Sequence, residues 1–209
     1  MSTTASRRRE KQTAQTLRAA AEALGPMTPG MSLLALTQGQ WSMLDAVTHL
    51  VTQVGSSDIA VWTWAIAAYD VAALVALQAR GLLRQARLIV DYDGMRSRSH
   101  DGVAQWQAAW GAGAVLSAIS HAKMVRIASA SGLRLLVRGS MNMNLNARWE
   151  QLDLTEGGPE YDLVARMEAD LPRVDALPSQ GAVSAASKIR DAWEPESLAC
   201  WGALKPWRI

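Results

Sequence analysis

Ser120-His121-Ala122-Lys123-Met124-Val125-Arg126-Ile127, then Arg138-Gly139-Ser140-Met141-Asn142-Met143-Asn144-Leu145-Asn146, then Arg148-Trp149-Glu150-Gln151, are the stretches on which the reading of this chain turns. Ala122 to Ile127 has strand composition, Ser129-Ala130-Ser131-Gly132 is turn-like, and Leu133–Val137 returns, so a hairpin is predicted. Strand residues two apart project to one face, which sets His121 beside Lys123. Followed by Gly-Ser-x-Asn, the pair becomes a cluster of donors. Lys123 supplies charge, Ser140 a hydroxyl and Asn142 an amide, the set that holds a phosphate diester. His121 is the member able to attack phosphorus at neutral pH. Singly, each has a plainer reading: a lone histidine is more often structural, and Ser-Met-Asn-Met-Asn can be a polar turn. Their order and placement together favour chemistry.

Outward from this stretch, strand and helix alternate. A helix over residues 7–24 is stopped by Gly25-Pro26, and Met31–Leu36 is a short strand. Ser42 is a plausible N-cap for a helix whose apolar residues recur at helical spacing until Gly55. Asp58–Trp64 and Ala86–Val90 read as strands, with helices over Val71–Gly81 and Val103–Trp110. Val115–Ile119 and Trp149–Leu154 add strands, and a last helix runs from Glu160 to about Leu171. The expected class is α/β, a mixed sheet flanked by helices. The expected organisation is a basic arm and helix over 1–30, an α/β domain over 31–172 and a tail over 173–209. No internal repeat is visible.

Composition narrows the function classes. The chain has 209 residues, 49% hydrophobic and 19% charged, enough for one sizeable core. Nine Trp and no Phe leave aromatic packing to indoles. Cys200 alone makes no internal disulfide, and no Cys/His cluster has zinc spacing. His49, His100 and His121 are far apart in sequence, so neither a metal site nor a cofactor is expected. Asp91 and Asp93 at a strand end are formal Mg²⁺ ligands, though such loop acids are usually solvated. Residues 59–79 approach the length of a bilayer span, but Asp70 in their middle argues for strand, turn and helix instead. No signal-peptide pattern is seen, so a cytoplasmic setting is expected. Residues 1–18 carry Arg7, Arg8, Arg9, Lys11 and Arg18 against Glu10 alone, whereas 151–209 carry six basic and ten acidic side chains. A basic arm of this kind suits a polyanion, as does the Arg96, Arg98 and His100 loop. There is no phosphate-binding Gly-rich loop, dinucleotide fingerprint or Gly-x-Ser-x-Gly elbow.

His121-x-Lys123 followed by Gly139-Ser140-x-Asn142 resembles the HKD signature of the phospholipase D superfamily. Thr37-Gln38-Gly39-Gln40-Trp41-Ser42, Thr63-Trp64-Ala65-Ile66-Ala67, Leu88-Ile89-Val90-Asp91 and Asn146-Ala147-Arg148-Trp149-Glu150 are similar to small one-motif members from phages and plasmids. The resemblance spans roughly residues 31–155. It implies that His121 is a nucleophile forming a phosphohistidine and that Lys123, Ser140 and Asn142 bind the non-bridging oxygens. It implies too that Glu150 orients the histidine, fixing its tautomer. Two departures are plain. Ala128 stands where the family places an Asp five residues after the Lys, and the gap from Lys123 to Gly139 is longer than usual.

One motif per chain implies a homodimer with two histidines facing each other across a two-fold axis. The expected activity is a metal-independent phosphodiesterase acting on nucleic acid, likeliest DNA, in a bacterium or a phage-infected host. The alternatives are a catalytically degenerate member that binds DNA or serves in assembly, and a phospholipid phosphodiesterase. No stable membrane insertion is expected.

Overall fold

The sequence alternation becomes a single mixed sheet with helices on both faces. The structure, a computed structural model, describes residues 3–91, 95, 99–118 and 120–171. Elements run α1 (Thr3–Leu24), β1 (Ser32–Gln38), α2 (Met43–Val54), β2 (Ser57–Thr63), α3 (Ala68–Ala79) and β3 (Leu83–Asp91). Then follow α4 (His100–Trp110), a 3₁₀ turn (Ala112–Ala114), β4 (Val115–Ala118), β5 (Met124–Ser129), β6 (Arg134–Gly139), β7 (Trp149–Glu156) and α5 (Pro159–Asp170). The strand order is β1-β7-β6-β5-β2-β3-β4. β2, β3 and β4 are parallel, joined by helical crossovers, and the remaining pairs are antiparallel. The expected tail over 173–209, Asp93, and the Arg96–Arg98 part of the loop lie outside the described residues.

Strand period 2 sorts the core into two layers. Val61, Leu88, Val125, Val137 and Leu152 face α1 to α4, in a layer that also takes Ala20 and Leu24 of α1. Ala60, Trp62, Ile89, Leu116 and Leu136 alternate to the other face, under Tyr161 and Val164 of α5. Such two-sided burial explains why β2 reads as a continuous apolar run rather than an alternating one. α5 is fastened by a buried ion pair: Glu168, 1% exposed, accepts from Arg126 Nε at 2.9 Å and from Trp62 Nε1 at 3.0 Å. Arg126 also donates to the Tyr161 hydroxyl at 2.9 Å. α2 starts where Ser42 and Asp45 form a reciprocal capping box, and Thr16 of α1 donates to Asp45 at 2.9 Å.

Several boundaries differ from the expectation by two or three residues, β3 beginning at Leu83 rather than Ala86 and α4 at His100 rather than Val103, and two of the differences have a local reason. α3 begins at Ala68 rather than Val71, because Asp70 accepts from the Ala67 N–H at 3.0 Å and caps the helix earlier. β5 begins at Met124, so His121 and Lys123 precede the strand instead of standing on it. Here the Ser120 N–H donates to Asp91 at 3.0 Å and the Ala122 N–H to Ser120 Oγ at 3.1 Å. Those donors are committed to side chains and leave the ladder.

Candidate active site

Three backbone junctions bring the quoted stretches together at one end of the sheet. The Gly139 N–H donates to the Lys123 carbonyl at 3.1 Å, which sets the His-x-Lys segment beside Gly-Ser. The Ser140 N–H donates to the Gln151 carbonyl at 3.1 Å, and the Gln151 N–H to Ser140 Oγ at 3.0 Å. Gly139 is required here: a Cβ on it would lie 2.1 Å from the Gln151 carbonyl oxygen. Beyond Ser140 the chain alternates. Met141 and Met143 are buried at 2% exposure, and Met143 accepts from the Leu44 N–H at 3.2 Å. The methionines anchor the turn, while Ser140 and Asn144 on either side of them are exposed and Asn142 between them is half-buried. Asn142 Oδ1 is buried with no hydrogen-bond partner, so the capacity the fold leaves unused there is that of an acceptor.

The side chains form two hydrogen-bonded sets. Lys123 is 7% exposed; its Nζ lies 3.0 Å and 3.2 Å from the two ring nitrogens of His121 and donates to the His121 carbonyl at 2.8 Å. Burial pushes the Lys123 ammonium below the usual lysine range, and the nearby charge of Glu150 works against that. His121 itself is exposed to solvent. Glu150, near the start of β7, accepts from Ser140 Oγ through Oε2 and from Asn146 Nδ2 at 3.1 Å through Oε1.

The structure pairs His121 with Lys123 and Ser140 with Glu150 at neighbouring strand ends, with Asn142 two residues beyond Ser140, and the contacts are distributed differently from the resemblance. Glu150 grips Ser140 and Asn146, and the group hydrogen-bonded to the His121 ring is Lys123. Asn146 was not singled out as a site residue. Its signal was the Asn at every second position from 142 to 146, which places the third amide within reach of the next strand. Asp91, weighed as a metal ligand, is instead buried and bonded to the backbone entering the site. Among the described residues no group of three or more His, Cys, Asp or Glu lies together. His49 Nε2 bonds the Gly25 carbonyl at 2.8 Å, a structural role. Ala128 sits five residues along β5 from Lys123, roughly 16 Å at about 3.3 Å per residue. An acid there would not reach the cradle.

No family model matches the sequence, and no curated protein matches it. Solved structures do. NucT from Helicobacter pylori is similar over 68% of this chain and 99% of its own, at 14% identity and a TM-score of 0.50. Nuc from Salmonella typhimurium, a phospholipase D family member, is similar over 67% of this chain and 92% of its own, at 15% identity and a TM-score of 0.46. The architecture is a phospholipase D-like α/β fold. Among the described residues, no helix is long and apolar enough to cross a membrane.

Proposed function

We propose that the protein is a phosphodiesterase of the phospholipase D type that cleaves nucleic acid through a phosphohistidine, working as a homodimer. The observation that carries this reading is the exposed imidazole of His121 held against the buried ammonium of Lys123, next to the Gly139-Ser140 strand end. A neutral His121 nitrogen attacks phosphorus, and the bond to the leaving oxygen breaks as that oxygen takes a proton from the corresponding histidine of a second copy. Water then cleaves the P–N bond, returning the imidazole and releasing the phosphomonoester. Lys123 Nζ, which lies against the imidazole, swings to a non-bridging oxygen. The Asn142 amide nitrogen supplies a further donor, and Ser140 Oγ another once its proton turns from Glu150, so the developing charge is stabilised by protein groups and the reaction runs without added metal. The basic N-terminal segment favours nucleic acid over lipid as the polyanion.

The experiment is incubation of the purified protein with labelled DNA, RNA and phospholipid, with and without chelator. Chelator-resistant cleavage of a polynucleotide, with phosphate trapped on His121, is the expected result. Binding without cleavage of any phosphodiester would favour a DNA-binding protein that has lost turnover.

A further inference from the structure

α1 is longer than the body it packs on. Its C-terminal half is held: Ala20 and Leu24 enter the core, His49 Nε2 of α2 bonds the Gly25 carbonyl at 2.8 Å, and Thr16 donates to Asp45 of α2 at 2.9 Å. These bonds set α1 antiparallel to α2 and bring Thr16 level with the first turn of α2. In that turn the Leu44 N–H donates to the Met143 carbonyl, which belongs to the turn carrying Ser140 and Asn142. Thr13 and Thr16 line one cavity with Tyr69, Met143, Asn144 and Leu145. Thr13, Thr16, Ala20 and Leu24 recur at helical spacing and mark the line along which α1 rests on the molecule. Beyond Thr13 the helix continues to Thr3, roughly 15 Å at about 1.5 Å per residue. That length overhangs the cradle end of the sheet.

The overhang has no apolar face to bury. From Thr3 to Thr13 its one apolar side chain is that of Ala5, while Arg7, Arg8, Arg9 and Lys11 stand against Glu10. Like charges one turn apart, as at positions 7 and 11, oppose helix formation. A helix that is polar all round also lacks the packing that normally supports one. A polyanion supplies what is missing, because phosphates neutralise the run as they are held by it. Position 9 falls on the continuation of the line through Thr13 and Thr16, the line that meets the Asn144-Leu145 turn. Asp45 and Asp70 of the neighbouring helices are buried and bonded at their own helix starts, to Ser42 and Ala67.

We infer that the overhanging turns of α1 are a second phosphate-binding subsite, which grips a polynucleotide to one side of the phosphate being cleaved. This rests on the nucleic-acid reading above and adds to it a length requirement, since a strand must extend beyond the cradle to engage α1.

The test is equilibrium binding of the full-length chain, carrying His121→Asn so that the ligand is not cut. The ligands are labelled oligothymidylates of four, eight and twenty residues, measured between about 50 and 200 mM salt. The parent is compared with a variant carrying Arg7→Gln, Arg8→Gln, Arg9→Gln and Lys11→Gln, exchanges that keep helix propensity, and melting curves show both folded. The parent is expected to gain affinity steeply from four residues to twenty. The variant should lose that gain, binding the longest strand about 10- to 100-fold more weakly at low salt, with a salt slope shallower by about 1 to 3. A length gain or a salt slope that survives in the variant overturns the subsite while leaving the nucleic-acid reading intact. So does a loss of equal size at every length, which would assign the effect to overall charge. No binding by the parent at any length overturns both.

Discussion

At the level of single residues, the site makes distinct demands on His121 and Glu150. His121→Ala removes the attacking atom and His121→Asn keeps polarity without nucleophilicity. Both should reduce cleavage of a labelled oligonucleotide by at least about 10³-fold while binding is retained. Undiminished cleavage by either would remove the proposed mechanism. Glu150 accepts from two side chains at once. Glu150→Gln keeps one carbonyl acceptor but gives up the charge beside Lys123, so a milder loss is expected, on the order of 10- to 100-fold. A loss as deep as that of His121→Ala would mean that Glu150 takes part in proton transfer rather than positioning. The donor types were legible in the sequence because a phosphate cradle needs few kinds of side chain. The identity of each contact was not. Whether Glu150 reaches His121 or Ser140 depends on where β7 begins relative to β6, a tertiary register that no local pattern encodes.

Among the elements, the hairpin and the parallel crossovers were readable because turn residues and apolar runs mark them. The irregular segment before β5 was not, since its backbone donors are taken by Asp91, 29 residues away in sequence, and by Ser120. Gly139 is where element packing and site meet. Gly139→Ala would force the Cβ into the Gln151 carbonyl, spreading β6 from β7. A loss of about 1–3 kcal/mol in urea denaturation is expected, together with impaired cleavage as Ser140 shifts. Wild-type stability would show that the strands yield at no cost. α3 carries a separate pH signature. Burial raises the Asp70 carboxyl from 3.8 to about 6. The folded chain then binds that proton more tightly than the unfolded one, so the contribution of Asp70 to stability is fully present below about pH 4 and is lost as pH rises through about 6. The contribution is about 3 kcal/mol, taking 1.36 kcal/mol per pKa unit. Asp70→Asn should flatten this decline, seen as urea midpoints at pH 4 and pH 7 that converge relative to wild type. An unchanged gap would assign the slope to other groups.

For the whole molecule, a single motif per chain makes the oligomer part of the chemistry. Light scattering at micromolar concentration should give twice the chain mass, and mixing His121→Asn chains with wild type should depress activity beyond simple dilution. A strict monomer with full activity would contradict the two-histidine scheme. The layered architecture was legible because a strand with helices on both sides reads as an uninterrupted apolar run, as β2 does. The exposure of Leu34 and Leu36 was hidden, because the continuous apolar run of β1 looks the same whether its outward leucines meet a helix, solvent or another surface. The methionines under the phosphate cradle have a consequence for how this protein fails. Met141 and Met143 are as deeply buried as the central strand residues, so the turn bearing Ser140 and Asn142 has no hinge of its own. Its amides should exchange with deuterium only through the global opening reaction, and catalytic competence and the native fold should vanish in the same transition.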